Sequence, residues 1–285
     1  MKLAALIASA FVASATFPVA SACPEFNLIA QPVEAEGYNP NSAAPVAMQI
    51  ELILLDGPAE RSCASHVIDI TSQSSSGVRE LASGGTVIEG IRPPSMSAFG
   101  SDTDTKIRLS RNAVNRLVAT GRLIFDYAWI EPGAFYPAGL YTNVLDVEVN
   151  GHDVATLEPE ITVFPAVRLL GDISGGYGQI DFGALESYEE VATNFIYQSN
   201  SPLTVTAQSQ NNGTLVHEDG ARVYAIPYAA FINNQAIATD GVQSLDLDNF
   251  RGSRNIGAVR LKLGDIGIPV AGEYADVLTL SFTAD

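Results

Sequence analysis

Ala138-Gly139-Leu140-Tyr141-Thr142-Asn143-Val144-Leu145-Asp146-Val147-Glu148-Val149 returns 133 residues later as Ala271-Gly272-Glu273-Tyr274-Ala275-Asp276-Val277-Leu278-Thr279-Leu280-Ser281-Phe282. Both copies read A-G-x-Y-x-x-V-L and then alternate apolar with polar residues, the period-two signature of a strand with one buried face. A repeat at the spacing of a small domain predicts two domains of one fold. The first copy is followed by a further strand-like run, Ile161-Thr162-Val163-Phe164, whereas the second ends three residues on, at Asp285. One domain is therefore expected to be complete and the other to want its last strand. That asymmetry points to assembly.

Alternation continues outward from the repeat. Met48-Gln49-Ile50-Glu51-Leu52, His66-Val67-Ile68-Asp69-Ile70-Thr71, Arg122 to Tyr127 and Ala155 to Phe164 read as strands of the first half. Gln179 to Phe182, Glu190 to Tyr197, Leu203 to Gln208 and Ala258 to Leu263 read so in the second. Only Asn112 to Thr120, with Val114, Leu117 and Val118 at helical spacing and Gly121 behind it, predicts a helix. Many short strands separated by Gly, Pro, Asn and Asp clusters predict an all-β protein of two tandem immunoglobulin-like antiparallel sandwiches. The Gly-rich run Gly171-Asp172-Ile173-Ser174-Gly175-Gly176 serves as linker. The expected division is a signal peptide at 1–22, a first domain at 23–170 and a second at 171–285.

The signal is read from Lys2, an apolar run from Leu3 to Val19, and the small residues Ala20-Ser21-Ala22. No later run reaches the ~20 apolar residues of a membrane span. The formal charge of −17, which losing Lys2 makes more negative still, argues against nucleic acid and anionic lipid as partners. Cys23 and Cys63 are the two cysteines. In an oxidising compartment they pair most simply into one bridge. Spanning 40 residues, it would stabilise the fold by about 4 kcal/mol on the chain-entropy estimate. The alternative is that Ala20-Ser21-Ala22-Cys23 is a lipobox with Cys23 lipidated, although a larger aliphatic residue normally stands where Ala20 does.

Catalytic constellations are missing from the sequence. His66, His152 and His217 are scattered without metal-ligand spacing, and there is no Gly-x-Ser-x-Gly, His-Glu-x-x-His or P-loop. Asp102-Thr103-Asp104 and Asp246 to Gly252 lack the EF-hand pattern and read as solvated loops. Asn212-Gly213-Thr214 matches a glycosylation triplet and is better read as a hairpin turn. No enzyme, cofactor or metal site is expected. Arg92 to Gly100 and Trp129 to Pro137 instead place large apolar residues among Pro and Gly. Either they mark a contact surface, or Trp129 and Ile130 end a core strand and Phe135 and Tyr136 fold back over it. The strand count brings both loops, with Tyr38, to one pole. Met96, Phe99, Phe135 and Tyr136 are then the candidate adhesive residues.

The terminal run Ile268-Pro269-Val270-Ala271-Gly272-Glu273-Tyr274-Ala275-Asp276-Val277-Leu278 resembles the closing strand of the spore coat protein U and archaic chaperone–usher pilin family, whose members finish with (I/V)PAGxYxDxVxVxVx. Tyr38-Asn39-Pro40-Asn41-Ser42, between the cysteines, is similar to that family's Y-D-P-x-S motif. Ile180-Asp181-Phe182-Gly183-Ala184-Leu185 and Asn200-Ser201-Pro202-Leu203-Thr204-Val205 are similar to its FG-x-L and N-x-P-Y-T-V runs. Asn211-Asn212-Gly213-Thr214-Leu215 and Ile226-Pro227-Tyr228 complete the match. The resemblance covers about half of each domain. It departs from the family in the second domain's want of cysteines and in Leu140 and Asn143 within the first A-G-x-Y run.

That resemblance implies a pilus-tip subunit whose first domain is an adhesin for a host or abiotic surface. Its second domain would be completed by a donor strand, from a periplasmic chaperone first and the next subunit later, at an outer-membrane usher. Tyr274, Val277, Leu278, Leu280 and Phe282 would border the groove on one side and Gln179 to Phe182 on the other. With Cys23 next to the mature N-terminus, no donor extension of its own is expected. The location implied is the cell surface. The competing readings are a structural coat or matrix protein of the same fold, and a secreted two-domain carbohydrate-binding module.

Overall fold

The computed structural model describes residues 26–285 apart from 60, 75–76, 92–97, 172–175, 221–223, 240–242 and 248–253. The signal segment, Cys23, Met96 and most of the Asp246–Gly252 run lie outside the described residues.

In chain order the first half holds β1 (Leu28–Val33), β2 (Val46–Leu54), β3 (Ile68–Ser72), β4 (Glu80–Ser83), β5 (Thr86–Glu89), β6 (Phe99–Asp102) and β7 (Lys106–Leu109). Helix α1 (Arg111–Thr120) follows, then β8 (Arg122–Ile130), β9 (Gly139–Thr142), β10 (Leu145–Val149), β11 (His152–Leu157) and β12 (Glu160–Val163). The second half holds β13 (Val167–Leu170), β14 (Glu190–Ser199), β15 (Leu203–Ser209), β16 (Thr214–His217) and β17 (Ile226–Ile232). It ends with β18 (Gln235–Ile237), β19 (Gln243–Leu247), β20 (Arg254–Leu263), β21 (Tyr274–Ala275) and β22 (Leu278–Ala284).

Three antiparallel sheets, β1-β2-β8, β11-β10-β3-β7-β6 and β12-β9-β4-β5, enclose one buried cluster from Leu28 to Val163. A second cluster, from Phe195 to Leu263, lies between β13-β14-β20-β17-β16-β21 and β19-β15-β22. Among the described residues the elements are thus all strands apart from α1 and a short 3-10 turn at Arg61–Ser65. The expected helix forms: the Ser110 hydroxyl accepts from the Ala113 N–H, and Gly121 ends it at φ 75° with its N–H on the Leu117 carbonyl. Such a cap contributes about 1 kcal/mol, and Ala113, Val114, Leu117 and Val118 supply the buried face.

The repeated motif is a tyrosine corner built twice. Tyr141 Oη donates to the Pro137 carbonyl at 2.8 Å, and Tyr274 Oη donates to the Val270 carbonyl at 3.0 Å, each four residues upstream. The glycine of A-G-x-Y sits at φ 148° in the first copy and 150° in the second, where an L side chain is strained. A Cβ on Gly272 would also stand 2.1 Å from His217 Nε2. Past the corner the chain changes sheets in both halves: β9 lies in one sheet and β10 in the other, as do β21 and β22.

The ladders redraw four sequence expectations. Val167–Leu170, read as the end of the first domain, pairs with β14 of the second half. Gln179 to Phe182 runs without a ladder partner among the described residues. Asn212 and Gly213 have φ of 54° and 74°, a turn geometry that suits Asn-Gly, but they join β15 to β16 in different sheets, so no hairpin forms. The stretch between β3 and β6, where no strand is read from the sequence, contains the hairpin β4–β5. Arg79, just before β4, is buried with its guanidinium 2.5 Å from Asp102 and donating to the Tyr127 carbonyl. That ion pair was invisible in the sequence, where Asp102 reads as a loop carboxylate.

Candidate functional site: an open-edged groove

The two closing strands can be compared residue by residue, because their inner flanks are paired alike. Leu145 stands opposite Ser72 and its counterpart Leu278 opposite Ser209; Thr142 stands opposite Ala82 and its counterpart Ala275 opposite Val216. Between the two strand segments lies a polar anchor. The Asp276 carboxylate accepts from Ser209 Oγ at 2.5 Å, Tyr228 Oη at 2.6 Å and the Asn211 N–H at 3.0 Å. Its counterpart Asn143 accepts from Ser72 Oγ at 3.2 Å and the Val144 N–H at 2.7 Å. Burial and the carboxylate beside it push the Tyr228 hydroxyl well above the ordinary phenol range, so it stays a donor.

The outer flanks differ. In the first half β10 is covered by β11 and β9 by β12, and Tyr38 closes the far side of β12 through a bridge to Val163. Along β21 and β22 no described residue pairs with the outer edge. A groove of about 1080 Å³ opens there instead. Residues 176–185 form one wall, residues 269–280 with Phe282 the other, and Phe195, Val259 and Leu261 also line it. Burial records the difference: Leu145 and Val147 are 1% and 0% exposed, whereas their counterparts Leu278 and Leu280 are only half-buried. An uncovered edge presents a row of unpaired N–H and C=O groups beside apolar side chains, a template for another strand.

Tyr274, Val277, Leu278, Leu280 and Phe282 line this groove, and so do Ile180 and Phe182. Tyr274 is engaged in the corner, and Val277 is 58% exposed. Asp276 is the residue sequence reasoning passed over. Its signal was the D of the terminal A-G-x-Y-x-D run.

Of the four candidate adhesive residues, the three described, Phe99, Phe135 and Tyr136, do not converge. Phe135 is buried at 8% exposure under the Arg168 guanidinium, 4.8 Å from the ring centre. Tyr136 is half-buried in the first core, and its carbonyl accepts from Asn200 Nδ2 of the second half at 2.9 Å. Asn200 also binds Phe164 O, Ala166 N and the Ala138 N–H, so the 131–138 loop is the junction between the halves. Phe99 packs edge-to-face on Phe125 at 6.0 Å. It pairs with Leu109, toward the Val149 end of β10 and away from the junction. Met96 lies outside the described residues. Phe99 opens the β6–β7 hairpin and so stands beside Leu109, at the end from which α1 departs.

Cys63 is buried in the 3-10 turn, and Cys23 lies outside the described residues. The histidines occupy separate elements: His66 stacks on Phe26 at 4.2 Å, His152 begins β11 and His217 ends β16. Among the described residues no three His, Cys, Asp or Glu side chains gather as a metal site would need, and no helix is long and apolar enough to cross a membrane.

No protein-family model matches the chain, and no curated protein does. Among solved structures it is similar to the CsuC–CsuE chaperone–tip adhesion subunit pre-assembly complex from archaic chaperone-usher Csu pili of Acinetobacter baumannii, with 17% identity over 76% of this chain and 84% of that one, at a TM-score of 0.39. It is similar to CfaE, the adhesive subunit of CFA/I fimbria of enterotoxigenic Escherichia coli, with 12% identity over 90% and 81%, at 0.34. It is also similar to the CupB6 tip adhesin from Pseudomonas aeruginosa, with 10% identity over 91% and 95%, at 0.31. Likeness at these scores assigns no function.

Proposed function

We propose that this protein is the adhesive tip subunit of an archaic chaperone–usher pilus. One observation carries the reading: the first sandwich flanks its closing strand on both sides, while the second leaves the same strand open over an apolar groove. A sandwich with that edge exposed is prone to aggregate until a strand covers it. A periplasmic chaperone supplies that strand first, and the next subunit replaces it at the outer-membrane usher. Residues 1–22 direct export, and a Cys23–Cys63 bridge ties the mature N-terminus to the turn before β3.

The first sandwich needs no strand from outside and carries attachment to a host or abiotic surface, and with it biofilm formation. Because the 131–138 loop is taken up by the junction, attachment falls to the opposite end, where α1, Phe99 and the Asn150–Gly151 turn lie. The test is to produce the exported chain alone and together with a pilus chaperone. A stoichiometric complex with the chaperone, and aggregation without it, are expected. A soluble monomer that ignores the chaperone overturns the proposal.

A further inference from the structure

We infer that His217 is a proton-operated clasp on the second tyrosine corner: its doubly protonated ring holds the Ala271 carbonyl and the Asp219 carboxylate together, and losing the Nε2 proton frees the corner. The corner so held, from Ala271 to Ala275, lines the groove, and the clasp acts whatever occupies that groove.

The geometry asks for two N–H donors on one ring. Nε2 stands 3.2 Å from the Ala271 carbonyl oxygen, and Nδ1 stands 3.0 Å from Asp219 Oδ1. Both partners only accept, and imidazole has a donor on each nitrogen only as the cation. The Asp219 carboxylate, and next the Ala271 carbonyl, hold its pKa above the ordinary histidine value. Glu218 adds negative charge, Glu273 lies one residue beyond Gly272, and Tyr224 and Tyr274 face the ring edge-on at 6.2 and 5.0 Å. As pH rises, the one remaining proton stays on Nδ1, where the charged acceptor makes the stronger bond. Nε2 then turns a lone pair toward the Ala271 carbonyl and that bond is lost. The Asp219 N–H also approaches Nδ1, at 3.3 Å, a longer and uncharged contact that the carboxylate outweighs. The clasp is therefore closed below about pH 6.5 and opens as pH passes the raised folded value.

The first sandwich supplies the comparison. Ala82 stands opposite Thr142 as Val216 stands opposite Ala275, so Ser83, the next residue, takes the place of His217. Both lie over the glycine of A-G-x-Y: a Cβ on Gly139 would come 3.3 Å from Ser83 Oγ, and one on Gly272 would strike His217 Nε2. Serine does not titrate, so the first corner has no such clasp. The two corners also differ in what else holds them. β12 covers β9 along four residue pairs. β21 is held by two pairs to β16 and by the Glu218 N–H on the Glu273 carbonyl at 2.8 Å, and no described strand lies on its other side. One side-chain bond therefore counts for more at the second corner than at the first.

The experiment follows the full mature chain, alone where it is soluble and otherwise in complex with a pilus chaperone, from about pH 5 to about pH 9. Nitrogen-15 spectra of the His217 ring should show both nitrogens protonated at acid pH and a bare Nε2 at alkaline pH. Hydrogen exchange of residues 271–276, corrected for its intrinsic pH dependence, should quicken roughly two- to five-fold across that titration, the range of an ion pair that water partly screens. Residues 138–143 should stay level. H217Q should level the second corner's profile, as should H217S, which reproduces the serine of the first sandwich. D219N should move the His217 titration to lower pH. A bare Nδ1 at alkaline pH, an unmoved titration in D219N, an equal quickening of residues 138–143, or a pH-dependent second corner surviving in H217Q overturns the clasp.

Discussion

Replacing Asp276 tests whether the closing strand of the second sandwich is held by the polar anchor at its change of sheets. Three donors converge on this carboxylate, and two of them, Ser209 and Tyr228, are 5% and 7% exposed. A hydrogen bond to a charged group contributes about 1.5–3 kcal/mol, and a buried donor left without its acceptor costs about 1–3 kcal/mol. D276A strands both hydroxyls, which water reaches in part at this half-buried site, and should cost about 3–4 kcal/mol on those figures. D276N keeps an acceptor, as Asn143 does in the first sandwich, and should cost about 1–2 kcal/mol. Urea unfolding of the chain with its groove filled separates the halves. Trp129 is the single tryptophan and lies in β8, so its fluorescence follows the first sandwich while far-ultraviolet circular dichroism follows both. D276A should lower the midpoint of the dichroism transition by about 1–2 M and leave the Trp129 transition in place. Equal effects of D276A and D276N, or a shift of the Trp129 transition as large as that of the dichroism, would refute the anchor.

Two further outcomes follow from the same geometry. Phe135→Ser removes a ring buried at 8% exposure and should lower thermal stability by about 3–5 kcal/mol, whereas a surface contact residue would leave the melting temperature unchanged and alter attachment alone. His217 is held above its ordinary pKa by Asp219, and next by the Ala271 carbonyl, with Glu218, Tyr224 and Tyr274 also around it. Its proton therefore stabilises the fold fully below about pH 6.5, and that contribution is lost as pH rises through the higher folded value. Stability of the second sandwich should fall from pH 6 toward alkaline pH, and H217Q should flatten the slope; an unchanged slope in H217Q would remove His217 from the account.

What was legible in the sequence is what neighbouring residues decide among themselves. The tyrosine corner is a bond across four residues and the glycine before it a single backbone torsion, so A-G-x-Y announces the same turn in both halves. The alternation after it needs only the two-residue period of a strand, and the α1 pattern only a helical period with a cap at each end.

The rest was settled between segments far apart in the chain. Which residues cover the outer edge of the first closing strand is decided by the strands beside it, with Leu157 opposite Leu145 and Ile161 opposite Tyr141. Phe135 reads as a loop aromatic until Arg168 of the second half lies over its ring, and Phe99 belongs to the opposite end because it pairs with Leu109 across β6–β7. Asp276 becomes an anchor when Ser209, Asn211 and Tyr228 arrive from two other strands and the turn between them. Alternation reports that a face is buried and never names what buries it, because apolar burial carries no direction; ladder partners and convergent hydrogen bonds have geometry, and only the folded chain supplies it.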